Sequence, residues 1–164
     1  MIFVTVGTQL PFDRLIRGVD AWAAAHPEVE VQAQTGQIAP GGYHPRHMIS
    51  AATLDPETFD GFCRRARLIV AHAGTGSLLK SNTFGTPVLL MPRRSALGEH
   101  RNDHQLATAA HFGGRPGVNV VHEEDEIAPR IDALLAVPPR PPALGDAADP
   151  GLVAALRRVI FAQP

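Results

Sequence analysis

The residues best suited to chemistry fall in one stretch, Leu68 to Gln105. It opens with an apolar run, Leu68-Ile69-Val70-Ala71, and turns through His72-Ala73-Gly74-Thr75-Gly76-Ser77. After a helix-length segment it reaches Gly85-Thr86-Pro87 and a second apolar run, Val88 to Met91, which together read as a βαβ unit. A strand that ends in glycines and feeds a helix leaves unpaired backbone N–H groups at the helix N-terminus, where the peptide dipoles add roughly half a positive charge. Such a turn suits an anion, and phosphate is the usual occupant. The loop has G-x-G without the G-x-G-x-x-G spacing or the Gly-Lys-Ser/Thr ending of a Walker loop, so alone it also fits an ordinary tight turn. Pro92-Arg93-Arg94 and Gly98-Glu99-His100-Arg101-Asn102-Asp103-His104-Gln105 then form a strongly polar segment where the next strand-to-helix loop must fall. Two such loops at the carboxyl edge of a parallel sheet describe a ligand crevice.

Other chemistries fit less well. His100 and His104 stand four apart with Asp103 between them, a spacing that could face a metal along a helix, but H-E-x-x-H is absent and no metal is expected. Gly74-Thr75-Gly76-Ser77 is not the G-x-S-x-G of a nucleophile elbow. His72 either satisfies backbone groups of the loop or touches a ligand. Cys63 lies among Phe59, Phe62 and Ala66 on an apolar helix face, which points to a buried, inert thiol. No side chain stands out as a general base.

The elements that would position these groups alternate along the chain. Ile2 to Val6 is a β-rich run ended by Gly7-Thr8-Gln9-Leu10-Pro11, whose Gly7 and Thr8 would face the same crevice from the neighbouring loop. Phe12, Leu15, Ile16, Val19 and Trp22 predict a helix over 12–25, which Gly18 weakens by up to about 1 kcal/mol. A short strand over 29–33 follows. Thr35 to Tyr43, rich in Gly and Pro, is either a surface loop or a flap or docking edge by the crevice. His47 to Ala51 predicts a third strand, and Asp55-Pro56 starts a helix running to about Ala66. Beyond the βαβ unit come a helix over 101–112, a strand over 118–121 and a helix to about Ala136 that opens on Glu123-Glu124-Asp125-Glu126. That acidic run complements the helix dipole. About six strands and six helices in alternation predict an α/β fold, a three-layer sandwich with a mostly parallel, Rossmann-like sheet. The domain is expected over 1–136, a Pro-rich linker over 137–150, and a C-terminal amphipathic helix over 151–164. That helix could pack on its own domain, swap onto another subunit, or meet a partner or membrane surface.

Composition narrows the classes. Fifteen Lys plus Arg against sixteen Asp plus Glu, net charge −1, supply no basic surplus for nucleic acid. A hydrophobic content of 45% across 164 residues is enough for a single core. The single cysteine fits a reducing compartment. Met1 to Val6 lacks the basic region of a signal peptide, and no run approaches the ~20 apolar residues of a membrane span.

The run His72 to Ser77, its spacing to Gly85-Thr86-Pro87, the Pro92-Arg93…Gly98-Glu99-His100…His104-Gln105 segment and the opening Val4-Thr5-Val6-Gly7-Thr8-Gln9…Phe12-Asp13 resemble the C-terminal domain of family 28 glycosyltransferases. The likeness is to small, stand-alone members, the soluble subunits of bipartite UDP-sugar transferases that act in dolichol-linked oligosaccharide and bacterial exopolysaccharide synthesis. The resemblance implies one half of a GT-B fold. It places Gly7, Thr8, His72, Gly74, Thr75, Gly76, Ser77, Glu99, His104 and Gln105 at a UDP-sugar donor site, with Gln105 on the sugar hydroxyls. Where larger members carry a glutamate for the ribose, this chain has Lys80, so either Asn82 or a residue from elsewhere substitutes, or the nucleotide preference differs.

The resemblance further implies an inverting hexosyltransferase subunit without a cofactor. A membrane-associated glycosyltransferase subunit would bind the acceptor and bring the base, holding the chain cytoplasmic and peripheral at the inner face of the membrane. An exposed crevice wall leaves homodimerisation open. Two alternatives stand beside this: a non-catalytic nucleotide-sugar-binding or assembly module, and a sugar-nucleotide isomerase, which would need a second domain.

Overall fold

The computed structural model describes residues 1–144, so the helix expected over 151–164 and residues 145–150 of the expected linker lie outside the described residues. Strands β1 (Ile2–Thr5), β2 (Val31–Gln34), β3 (Ile49–Ala51), β4 (Leu68–His72), β5 (Val88–Met91) and β6 (Val118–Val120) form one sheet in the order β3-β2-β1-β4-β5-β6. Every pairing is parallel, and Ile2 stands between Val31 and Leu68 in register. The helices are α1 (Asp13–Ala25), α2 (Pro56–Arg65), α3 (Thr75–Phe84), α4 (His104–Phe112) and α5 (Ile127–Leu135). The α/β sandwich expected from the alternation is the fold observed.

The strands are apolar on both faces because helices cover both. Ile2, Val4, Val70, Leu89 and Met91 pack under α1 and α5 with Leu15, Val19, Trp22, Ile127 and Ile131. Phe3, Ile69, Ala71, Val88 and Leu90 pack on the opposite side with Cys63, Leu78 and Ala109 of α2, α3 and α4. Successive strand residues thus feed two separate cores, as the two-residue strand period requires. Gly18 in the middle of α1 has a packing reason, since a Cβ there would overlap Ile127 Cδ1 of α5. Trp22 Nε1 donates to Asp132 Oδ1 at 2.7 Å and ties the same two helices. The expected cap of α2 is present, with Asp55 Oδ1 accepting from Thr58 N at 2.9 Å.

Four boundaries differ from expectation by two residues or more. The second strand starts at Val31 rather than Val29, whose N–H donates to His26 O at 3.0 Å instead of joining the sheet. The third strand begins at Ile49 rather than His47, because the His47 N–H donates to Asp20 Oδ1 at 2.7 Å instead of joining the sheet. The helix expected from Arg101 begins at His104; before it, residues 95–97 form a 3₁₀ turn closed by Gly98 at φ 69°, and Ser95 N donates to Asp103 Oδ1 at 2.8 Å. The acidic run forms a separate 3₁₀ turn, Glu124–Glu126, ahead of α5. Its Glu126 carboxylate accepts from the N–H groups of His122 and Glu123 at 2.6 and 3.0 Å, so the run caps the turn with side-chain bonds.

Residues 137–144 run against the domain at the amino-terminal edge of the sheet. Ala143 N donates to Pro116 O at 3.2 Å, Leu144 N to Asn82 Oδ1 at 3.3 Å, and Arg115 Nη1 to Leu144 O at 3.0 Å. Among the described residues no helix is long and apolar enough to cross a membrane.

The Gly- and Pro-rich loop after β2 is pinned to α1 by two carboxylates. Tyr43 N donates to Asp13 Oδ2 at 3.0 Å. Asp20, 1% exposed, accepts from the Tyr43 hydroxyl at 2.7 Å and from the Arg46 and His47 N–H groups. Burial alone would raise the Asp20 pKa; the His47 and Arg46 amides and the Tyr43 hydroxyl outweigh it and hold the carboxyl below its ordinary value. Stability from this group is therefore present above the ordinary carboxylate pKa and is lost as pH falls below it. Asp20→Ala should lower unfolding free energy by about 3 kcal/mol at neutral pH, read from urea denaturation, because it takes the common acceptor from the Tyr43 hydroxyl and the part-buried Arg46 and His47 amides. A loss under about 1 kcal/mol would show that the loop holds without the carboxylate.

Candidate functional site

Strand order reverses between β1 and β4, and a crevice opens there beyond their carboxyl ends. Its cavity, about 310 Å³, is lined by Gly7, Thr8, Gln9, Leu10, His72, Gly74, Thr75, Gly76, Arg93, His100, His104 and Gln105 with Val6. One wall is the N-terminus of α3. Gly74 takes extended φ −88°, ψ 145° as its N-cap, Gly74 N bonds His72 O, and Leu78 N returns to Gly74 O. Among the described residues the N–H groups of Thr75, Gly76 and Ser77 between them have no partner. The facing wall is the loop Gly7 to Leu10, which leaves β1 through Gly7 at φ 76°. There the N–H groups of Thr8, Gln9 and Leu10 are likewise without a partner among the described residues.

His72 lies beneath both walls. A Cβ at Gly7 would stand 3.0 Å from its Cε1, and one at Gly74 would overlap its Nε2. Both glycines are thus required by close approach, and Gly7 by its positive φ as well. Burial, then the charge of Arg93, pushes the His72 pKa down to about 4, so the ring is neutral near pH 7.

The second polar loop supplies the rim. Gln105 is 4% exposed and its Oε1 accepts from Arg93 N at 3.1 Å, while the residue still reaches the cavity. His104 bonds the Asn102 side chain, and its ring meets that of His100 edge-on with centroids 4.5 Å apart. Among the described residues no three His, Cys, Asp or Glu side chains gather in a way that could hold a metal.

Two of the expected site residues stand back from the cavity. Glu99 turns away: Arg14 Nε and Nη2 hold its two oxygens at 2.8 and 2.9 Å, and Arg94 N donates to Oε2 at 2.9 Å. Its carboxylate ties the loop after β5 to α1, with three donors already on its two oxygens. The Ser77 side chain is buried, 7% exposed, leaving only its backbone N–H in the first turn of α3. Lys80, at the place of the ribose glutamate, pairs with Asp60 of α2, and Asn82, the substitute considered for it, accepts from Leu144 N through Oδ1. Cys63 is buried, and its thiol is pushed up to about 12 by burial.

Gln9, Leu10, Arg93 and His100 also line the crevice and were not among the expected donor-site residues, although Arg93 and His100 belong to the polar segment read as its second loop. Arg93 is 2% exposed and donates through Nη2 to Val6 O at 2.8 Å and Leu10 O at 2.7 Å, and through Nη1 to Pro11 O and to Glu99 O at 3.3 Å. Its position directly after the buried strand β5 was the available signal, because a charge so placed must find partners inside. Two sets of amide donors free among the described residues, a helix N-terminus and a buried cation around one cavity suit an anion.

The family model "Glycosyltransferase family 28 C-terminal domain" matches residues 1–141. No curated protein matches the sequence significantly. Among solved structures, the NMR structure of ALG13 is similar with TM-score 0.59 at 18% identity, over 98% of this chain and 96% of that one. The glycotransferase of kitacinnamycin gives TM-score 0.59 at 16% identity over 98% of this chain, which spans 39% of that protein. A UDP-N-acetylglucosamine 2-epimerase from Listeria monocytogenes, described as putative, gives 0.56 at 15% identity over 99% of this chain and 46% of its own. These identities establish a shared fold.

The His72 environment sets a pH dependence. A histidine neutral in the fold and free to charge when unfolded gives stability that is complete above its ordinary pKa of 6.5 and is lost progressively as pH falls toward about 4. Between pH 7.5 and 4.5 the wild type should lose up to about 2 kcal/mol more than His72→Gln in urea denaturation. Parallel curves for the two proteins would contradict a buried neutral ring.

Proposed function

Since the chain belongs to glycosyltransferase family 28 through its C-terminal domain, we propose that it is the donor-binding subunit of an inverting hexosyltransferase using a UDP-sugar. The observation that carries this reading is the pair of amide-lined walls at the strand-order reversal, α3 on one side and Gly7 to Leu10 on the other. When an acceptor hydroxyl displaces UDP from the anomeric carbon, negative charge grows on the leaving diphosphate. Fixed N–H donors and the α3 dipole are already aimed where that charge develops, so they stabilise it without reorganising. Gly74, Thr75 and Gly76 hold one side of the diphosphate, Gly7 and Thr8 the other, with neutral His72 beneath. Gln105 and His104 at the rim offer donors and acceptors to sugar hydroxyls.

The acceptor and the general base come from a membrane-associated glycosyltransferase subunit that closes over the open side of the crevice. This accords with the resemblance to stand-alone members, and with a site whose described imidazoles are either buried, as in His72, or bonded to a neighbour, as in His104. The assembled enzyme would act in polysaccharide or lipid-linked oligosaccharide synthesis, at the inner face of the membrane.

One observation favours a second reading, a nucleotide-sugar-binding module without turnover. Lys80 occupies the place of the ribose carboxylate and is paired with Asp60, so uridine loses an acceptor that larger members are expected to provide. The epimerase-like alternative gains only a shared fold, of which the chain spans 46%.

Calorimetric titration with UDP, UDP-glucose, UDP-N-acetylglucosamine and UDP-glucuronate, with GDP as control, tests the reading. Saturable binding selective for one uridine donor is expected. Gly74→Val, which drives a side chain into His72, should weaken that binding at least tenfold while the circular dichroism spectrum is retained. Equal affinity for GDP would remove the uridine assignment, and unchanged affinity in Gly74→Val would remove the α3 N-terminus from the site.

A further inference from the structure

Among the described residues Arg93 is a buried cation with no carboxylate on its guanidinium. The nearest candidate, Glu99, is held by Arg14 and by Arg94 N, and reaches Arg93 only through its backbone carbonyl at 3.3 Å. Three of the four carbonyls on the guanidinium belong to the two ends of one loop: Val6 before Gly7, and Leu10 and Pro11 after it. The loop between them is polar and exposed, makes no sheet or helix bonds of its own, and leaves β1 through a positive-φ glycine. Its other holds lie mainly at its first residue, where Gly7 N donates to Thr5 Oγ1 at 3.3 Å and the His72 ring packs against Gly7. Phe12, next in the chain, is buried with its ring 4.6 Å from the guanidinium carbon, which secures the same anchor from below.

We infer that Arg93 is a positioning residue for the crevice: its planar fork fixes the Gly7 to Leu10 loop opposite the α3 N-terminus, so that a diphosphate is gripped by amides from both sides. The inference rests on the anion-site reading of the crevice and adds the residue on which its second wall depends. Neutral carbonyl dipoles leave the guanidinium charge in place beneath the cavity, where it also favours an anion. A lysine could keep that charge but, with a single compact ammonium, not the fork that spans both loop ends.

The test uses the full chain and inorganic pyrophosphate and UDP as probes. In the wild type, pyrophosphate should shift the amide resonances of Thr8 and Gln9 together with those of Thr75 and Gly76; movement of the α3 amides alone overturns the two-sided grip. Arg93→Lys should bind UDP at least tenfold more weakly, with amide exchange accelerated in Gly7 to Leu10 and unchanged in α3. A purely structural role predicts the opposite pattern, a lower denaturation midpoint with wild-type UDP affinity in the folded fraction, and that outcome overturns the proposal. If the wild type binds pyrophosphate but no uridine nucleotide, the donor reading fails while the loop shifts still decide the role of Arg93. If neither probe binds and loop exchange in Arg93→Lys equals the wild type, both fail.

Discussion

A right-handed crossover rule governs where this molecule can meet a ligand. The connections from β1 to β2 and from β4 to β5 leave adjacent strands in opposite directions, so α1 and α3 lie on opposite faces of the sheet. The loops entering those helices must part, and the gap is the crevice. No side chain creates that opening. Side chains decide how it is lined: glycines where backbone must come close, and neutral His72 as a shared floor.

Electrostatics at the carboxyl edge are arranged asymmetrically. Arg14, Arg93 and Arg94 gather there, and the acids among them are committed to ion pairs, Glu99 with Arg14 and Glu123 with Arg94. Glu99 acts as a tie between the loop after β5 and the helix after β1. The residues that line the crevice thus include the Arg93 guanidinium and no carboxylate, although the whole chain is nearly neutral, with net charge −1. Local arrangement, not overall charge, suits it to an anion.

Much of this was legible in the sequence for particular reasons. Buried parallel strands need apolar residues on both faces, so β1, β4 and β5 announced themselves as unbroken runs. Gly74-Thr75-Gly76 marked a strand-to-helix turn because few other residues allow such close backbone approach. What stayed hidden depends on partners that leave no pattern. Arg93 is satisfied by backbone carbonyls, which every residue has, and Glu99 by an arginine 85 positions away. The late start of the third strand has the same origin, since His47 N–H is captured by Asp20 from another element. Local pattern predicts what a residue prefers, and long-range polar contacts decide what it does.

His72 gives the crevice a property beyond its shape. One imidazole touches the backbone of both walls, at Gly7 and at Gly74, so the two loops share a single rigid spacer. They cannot drift independently: a change that lifts the ring under one wall is felt under the other, and substitutions at the two glycines will not combine additively. The spacing of the walls at their base is then a packing dimension of the protein interior, and is not left to two surface loops alone.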